Sequence, residues 1–136
     1  MAIQWKDDLL IGVKEIDKQH KELFKRINDL LQAMREGKGE KVMEETFTFL
    51  QNYTKTHFKN EERLMNRFDY PEFETHRSYH EQYIKEVDKL HDKLQSQGPS
   101  TAIILELQRF LSNWWTNHIK SVDKKLGAFL QEQDYV

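Results

Sequence analysis

Apolar residues recur at intervals of three and four through four long stretches of this chain, a period that fits helices and not strands. The first stripe runs Ile16, His20, Leu23, Phe24, Ile27, Leu30, Leu31 and Met34, and the second Met43, Phe47, Leu50, Tyr53, His57, Glu61, Leu64 and Met65. The third runs Phe73, His76, His80, Tyr83, Ile84, Val87, Leu90 and Leu94, and the fourth Ile104, Leu107, Leu111, Trp114, His118 and Ile119. Breakers fall between them: Gly37 and Gly39, then Phe68-Asp69-Tyr70-Pro71, then Gly98-Pro99. The pattern predicts an all-α protein, an up-down-up-down four-helix bundle. Residues 1–16 carry Trp5, Leu9, Ile11 and Val13 off helical spacing and predict an N-terminal arm across one end, with Asp17 as N-cap of the first helix. At 136 residues the expectation is a single domain over 1–136.

Composition narrows the chemistry. With 21 basic and 23 acidic residues the net charge is −2, which argues against nucleic acid as a partner. Cysteine is absent, so disulfides, thiolate metal sites and cysteine nucleophiles are excluded. Any metal here is held by imidazole and carboxylate. No signal-peptide pattern opens the chain and no apolar run is long enough to span a membrane, so the expected location is the cytosol, with no membrane contact.

What interrupts the stripes is more telling. Five of the six histidines and one glutamate stand where a bundle ordinarily places Leu or Ile. His57 and Glu61 are four apart, as are His76 and His80, and four residues turn a helix by about 400°. Each pair therefore projects from one face, suited to a shared metal. Glu61 on a buried stripe would carry a desolvation cost of several kcal/mol without a cation, and no Arg or Lys shares its face. A lone histidine on an apolar face is ordinarily a hydrogen-bonded core residue, and His91, three turns beyond His80, takes that reading. His118 and Asp123 are five apart, about 140° out of phase on an ideal helix. Either a π-type turn joins them, or the helix stops near Lys120 and Asp123 caps a short C-terminal helix; the modest helix propensities of Ser121 and Val122 favour the break.

Taken in order, single His20, His57-x-x-x-Glu61, His76-x-x-x-His80 and His118-x-x-x-x-Asp123, with the arm from Trp5 to Lys21, resemble the hemerythrin family in its bacterial single-domain form. The resemblance covers essentially the whole chain. It implies two non-haem irons with an oxo or hydroxo bridge, one held by His76, His80 and His118 and the other by His20 and His57, with Glu61 and Asp123 shared. If both carboxylates and one solvent oxygen bridge two six-coordinate metals, the five histidines leave one position open. That vacancy falls on the iron held by His20 and His57.

The implied function is reversible dioxygen binding for storage, transport or delivery, and not enzymatic turnover. O2 is then the ligand, and the reading leaves room for an O2-using recipient protein. The irons donate two electrons and the solvent-derived bridge supplies the proton, so an apolar pocket suffices. The family's pocket positions fall on Leu23, Phe58, Trp114, Trp115 and Ile119. Alternatives from other classes are a di-iron redox enzyme, a zinc or manganese structural site, and an O2 or redox sensor acting through a separate partner. The chain also departs from the family: Trp115 stands where relatives typically carry Leu, and Leu126 where they often carry Tyr. An indole at 115 is expected to turn inward and narrow the O2 path.

Overall fold

The computed structural model describes residues 3–136; Met1 and Ala2 of the predicted arm lie outside the described residues. Helices α1 (Lys14–Arg35), α2 (Glu40–Arg67), α3 (Phe73–Gln97) and α4 (Thr101–His118) are followed by a π turn (Ile119–Asp123) and by α5 (Lys124–Glu132). Each of the four long helices packs on the next, and α1 closes the ring against α4. This is the expected up-down-up-down bundle. The breakers end the helices as their chemistry requires. At Gly98 the backbone turns to φ +79°, a conformation that side chains with a Cβ resist, and Ser100 then caps α4 by accepting a hydrogen bond from Ile103 N–H at 3.2 Å.

The buried faces follow the predicted stripes with three shifts of one residue. On α2, Thr54 takes the core position expected for Tyr53, and on α4 Ile103 and Trp115 are buried while Ile104 and Trp114 are half-buried. One residue is about 100° of helix rotation, so adjacent apolar positions are hard to separate by period alone. Among the described residues the core holds no lysine or arginine.

Asp17 is not an N-cap. It lies inside α1, the cap position is Val13, and the Asp17 carboxylate accepts from the arm's Ile11 N–H (2.8 Å) and Gly12 N–H (3.2 Å). The arm thus folds back over the start of α1, after a short 3-10 turn at Asp7–Leu9. It also lies against α5, where a Cβ at Gly127 would stand 2.3 Å from the Ile11 carbonyl oxygen. Arm, π turn and α5 close one end of the bundle. The favoured break after Lys120 is likewise corrected, because the chain stays helical through the π turn and Asp123 makes no cap hydrogen bond.

Candidate metal centre

Each helix delivers one part of the cluster. His20 comes from α1, His57 and Glu61 from α2, His76 and His80 from α3, His118 from the end of α4 and Asp123 from the π turn. None is more than 4% exposed. They gather into two groups that share both carboxylates: Glu61, His76, His80, His118 and Asp123 in one, and His20, His57, Glu61 and Asp123 in the other. His91 stands apart, 2.8 Å from Glu44 and stacked on Phe47.

The carboxylate oxygens divide between the groups. Asp123 Oδ1 lies 3.1 Å from the Nε2 atoms of both His76 and His118, while its Oδ2 lies 3.0 Å from His20 Nε2. Glu61 Oε1 lies 3.2 Å from His80 Nε2 and 3.5 Å from His76 Nε2, while its Oε2 lies 3.6 Å from His57 Nε2. Two ligand atoms at right angles on a metal with bonds of about 2.1 Å are about 3 Å apart. The spacings fit that edge length.

These contacts are close, yet they are not hydrogen bonds. All five Nε2 atoms and all four carboxylate oxygens are buried without a hydrogen-bond partner among the described residues. A buried polar atom left unpaired costs about 1–3 kcal/mol, and more if charged. A whole set aimed at common points is what cations would satisfy.

Two residues on the far side of the rings fix which nitrogen faces inward. His57 Nδ1 donates to Gln19 Oε1 at 2.6 Å, and His80 Nδ1 donates to Glu62 Oε2 at 2.9 Å, so each Nε2 presents its lone pair to the cluster. Sequence reasoning missed both. Gln19 and Glu62 each adjoin a cluster residue, and only the cross-helix pairing reveals their role. Aromatic faces lie on two of the rings: Phe58 stacks on His80 at 3.9 Å and Trp114 on His118 at 4.3 Å.

Charge in the metal-free cluster is shared out by proximity. Burial opposes protonation of His76, but the Asp123 and Glu61 carboxylates outweigh it and lift the group to about 10. Burial likewise opposes protonation of His20 and His80, which carboxylates raise all the same. Burial wins at His57 and lowers it to about 4. Burial would raise Glu61 and Asp123, yet the surrounding histidines hold both well below the usual carboxylate range.

Of the expected pocket residues, Leu23, Phe58, Trp115 and Ile119 are buried. Trp115 turns inward, its ring centroid 6.3 Å from that of His20 and 6.1 Å from that of His57, and its Nε1 donates to Tyr83 Oη at 3.1 Å. Trp114 lies on the other side. It stacks on His118 and forms one wall of a surface groove of about 450 Å³ with Tyr79, Phe110, Asn117 and Val122.

The chain is similar to known proteins over most of its length. The chain is 36% identical over 119 residues to a bacteriohemerythrin of Pseudomonas paraeruginosa, covering 88% of this chain and 75% of that one. It is 25% identical over 122 residues to a myohemerythrin of Theromyzon tessulatum, covering 90% and 88% respectively. A solved hemerythrin structure, a leucine-to-tyrosine variant, superposes with a TM-score of 0.82 at 28% identity, covering 94% of this chain and 97% of that one. The profile of the hemerythrin HHE cation-binding domain matches residues 11–130. With that span covering most of its length, the chain belongs to the hemerythrin family.

Proposed function

We propose that this protein binds dioxygen reversibly at a non-haem di-iron centre held by His20, His57, Glu61, His76, His80, His118 and Asp123. The observation that carries the reading is the division of each carboxylate's two oxygens between the two histidine groups. A carboxylate so placed would serve two metals instead of chelating one. Two bridged irons would supply the electrons that O2 takes up on binding and returns on release.

The chain's own residues do the rest. Three imidazoles on one side and two on the other leave the His20–His57 side short of a ligand, and there the O2 would enter. Trp115 lies beside His20 and His57, and the other pocket positions that the resemblance implies, Leu23, Phe58 and Ile119, are buried carbon side chains. Such walls keep out the water that would protonate and release a reduced oxygen species. Tyr83 is the hydroxyl adjoining this wall, and its oxygen already accepts from Trp115. These carbon walls favour release of bound O2 over its reduction.

The test is anaerobic loading with ferrous iron, metal analysis, and visible spectra through repeated cycles of air and argon. Two irons per chain with charge-transfer bands that appear and vanish reversibly are expected. One-way oxidation would overturn the carrier reading in favour of a redox enzyme or sensor. A single metal, or zinc retained in preference to iron, would overturn the di-iron assignment.

A further inference from the structure

Trp5 and Trp114 are both half-buried, but their surroundings differ. Trp5, on the arm, packs edge-on against Phe24 with the Lys21 ammonium over its ring. The Trp114 indole lies flat on the His118 ring, with centroids 4.3 Å apart and planes at 14°. Tyr83 lies 4.4 Å from Trp114 and 5.3 Å from Trp115, and Trp115 in turn approaches His20 and His57. Ring contacts therefore run without a gap from both histidine groups to Trp114, which faces the solvent-open groove.

Indole is the most readily oxidised of the aromatic side chains in one-electron steps, with phenol next. Tyr83 is wholly buried, and burial pushes its phenol pKa far above the ordinary value. Its proton has no easy exit. A positive hole on these rings is therefore driven to Trp114, where groove water can accept the indole proton.

We propose that Trp114 is a one-electron donor that carries oxidising equivalents out of the metal centre when the protein meets hydrogen peroxide. The inference rests on the di-iron reading above. In each step Trp114 gives one electron toward His118 and its Nε1 proton to water, becoming a neutral indolyl radical. A small thiol in the groove returns the electron, and the proton comes back with it. Two such cycles deliver two electrons and two protons, which reduce one hydrogen peroxide to two waters while two thiols become one disulfide. Without thiol the radical combines with dissolved dioxygen and is trapped as an oxygenated indole.

The test treats the chain, loaded either with iron that has first been oxidised to the ferric state or with redox-inert zinc, with a few equivalents of hydrogen peroxide in the absence of thiol. Peptide mass spectrometry then quantifies oxygen added at Trp5, Trp114 and Trp115. In the iron form Trp114 should be oxygenated severalfold more than Trp5, with no such preference in the zinc form, and added thiol should suppress the difference. Trp114→Phe keeps a ring on His118 but removes the donor, so oxygenation should move severalfold toward Trp115 and the ligand histidines. Freeze-quenched electron paramagnetic resonance of the unaltered iron protein should show a radical whose signal narrows when tryptophan is ring-deuterated. Two bound irons with equal oxygenation at Trp5 and Trp114, or the same preference with zinc, would overturn the relay alone. A chain that holds no iron overturns the di-iron reading and the relay with it.

Discussion

Trp115 fills the space beside His20 and His57 with the largest wholly buried side chain of the protein, and it is anchored by the bond from Nε1 to Tyr83 Oη. Replacing it with leucine would remove two costs' worth of interaction at once: packed volume, and the donor that satisfies a buried phenol oxygen. By comparison with large-to-small core changes, Trp115→Leu should lower stability by about 2–4 kcal/mol. It should also speed both O2 association and release, and hasten oxidation to the form that no longer binds O2, because the cavity admits water. Denaturant titration and stopped-flow mixing check the two parts separately. If stability falls but the O2 rates are unchanged, Trp115 is packing only. Phe58 differs in kind, since its ring lies 3.9 Å above His80 and orients that imidazole.

The π turn is the element on which the cluster's register depends. Asp123 lies five positions beyond His118, yet His118 Nε2 and Asp123 Oδ1 meet at 3.1 Å because the wider turn absorbs the extra residue. Deleting the exposed Ser121 would restore a four-residue α step of about 400°, which still directs the aspartate inward and keeps the α5 face of Leu126 and Leu130 on the core. Inserting an alanine after Ser121 would instead rotate both away by about 100°. Metal analysis after desalting and thermal melts should find that the deletion retains metal and the insertion loses it. The reverse result would show that the register argument is wrong. The helical stripes, the breaks and the pairing of His57 with Glu61 and of His76 with His80 were legible in the sequence because helical period is a local property, whereas the full set of seven rested on the family resemblance. The π turn was not, since Ser121 and Val122 favour a break by propensity and only the packing of α5 at Gly127 against Ile11 and the burial of Asp123 decide otherwise. Asp17 read as a cap because the arm that occupies its carboxylate has no periodicity to locate it. Gln19–His57 and Glu62–His80 join residues 38 and 18 apart, beyond the reach of any local signal.

At the scale of the whole molecule, the bundle sets a polar cluster inside the half closed by the arm and α5, and the metal-free chain can neutralise it only with protons. The sign of each contribution follows from its shift. His76, raised to about 10, stabilises the metal-free fold fully below about pH 6.5, and this is lost as pH rises through 10. His57, lowered to about 4, stabilises it above about pH 6.5, and this is lost as pH falls toward 4. Glu61 and Asp123, held low by the histidines, contribute above the ordinary carboxylate range and lose that contribution in acid. Near neutrality His76 therefore keeps a proton, and a metal must displace it, because imidazole binds metal only when neutral. Metal affinity should then rise about tenfold per pH unit for each proton displaced, equivalent to about 1.4 kcal/mol. Since ligand binding stabilises only the folded state, the gap between loaded and metal-free stability should widen from pH 6 to pH 8 at fixed free metal. Denaturant unfolding of anaerobic ferrous and chelator-treated protein at several pH values measures that gap. A gap independent of pH would mean that the cluster holds no displaceable proton, and that the close contacts of His76 with Asp123 and Glu61 do not carry charge in the metal-free chain.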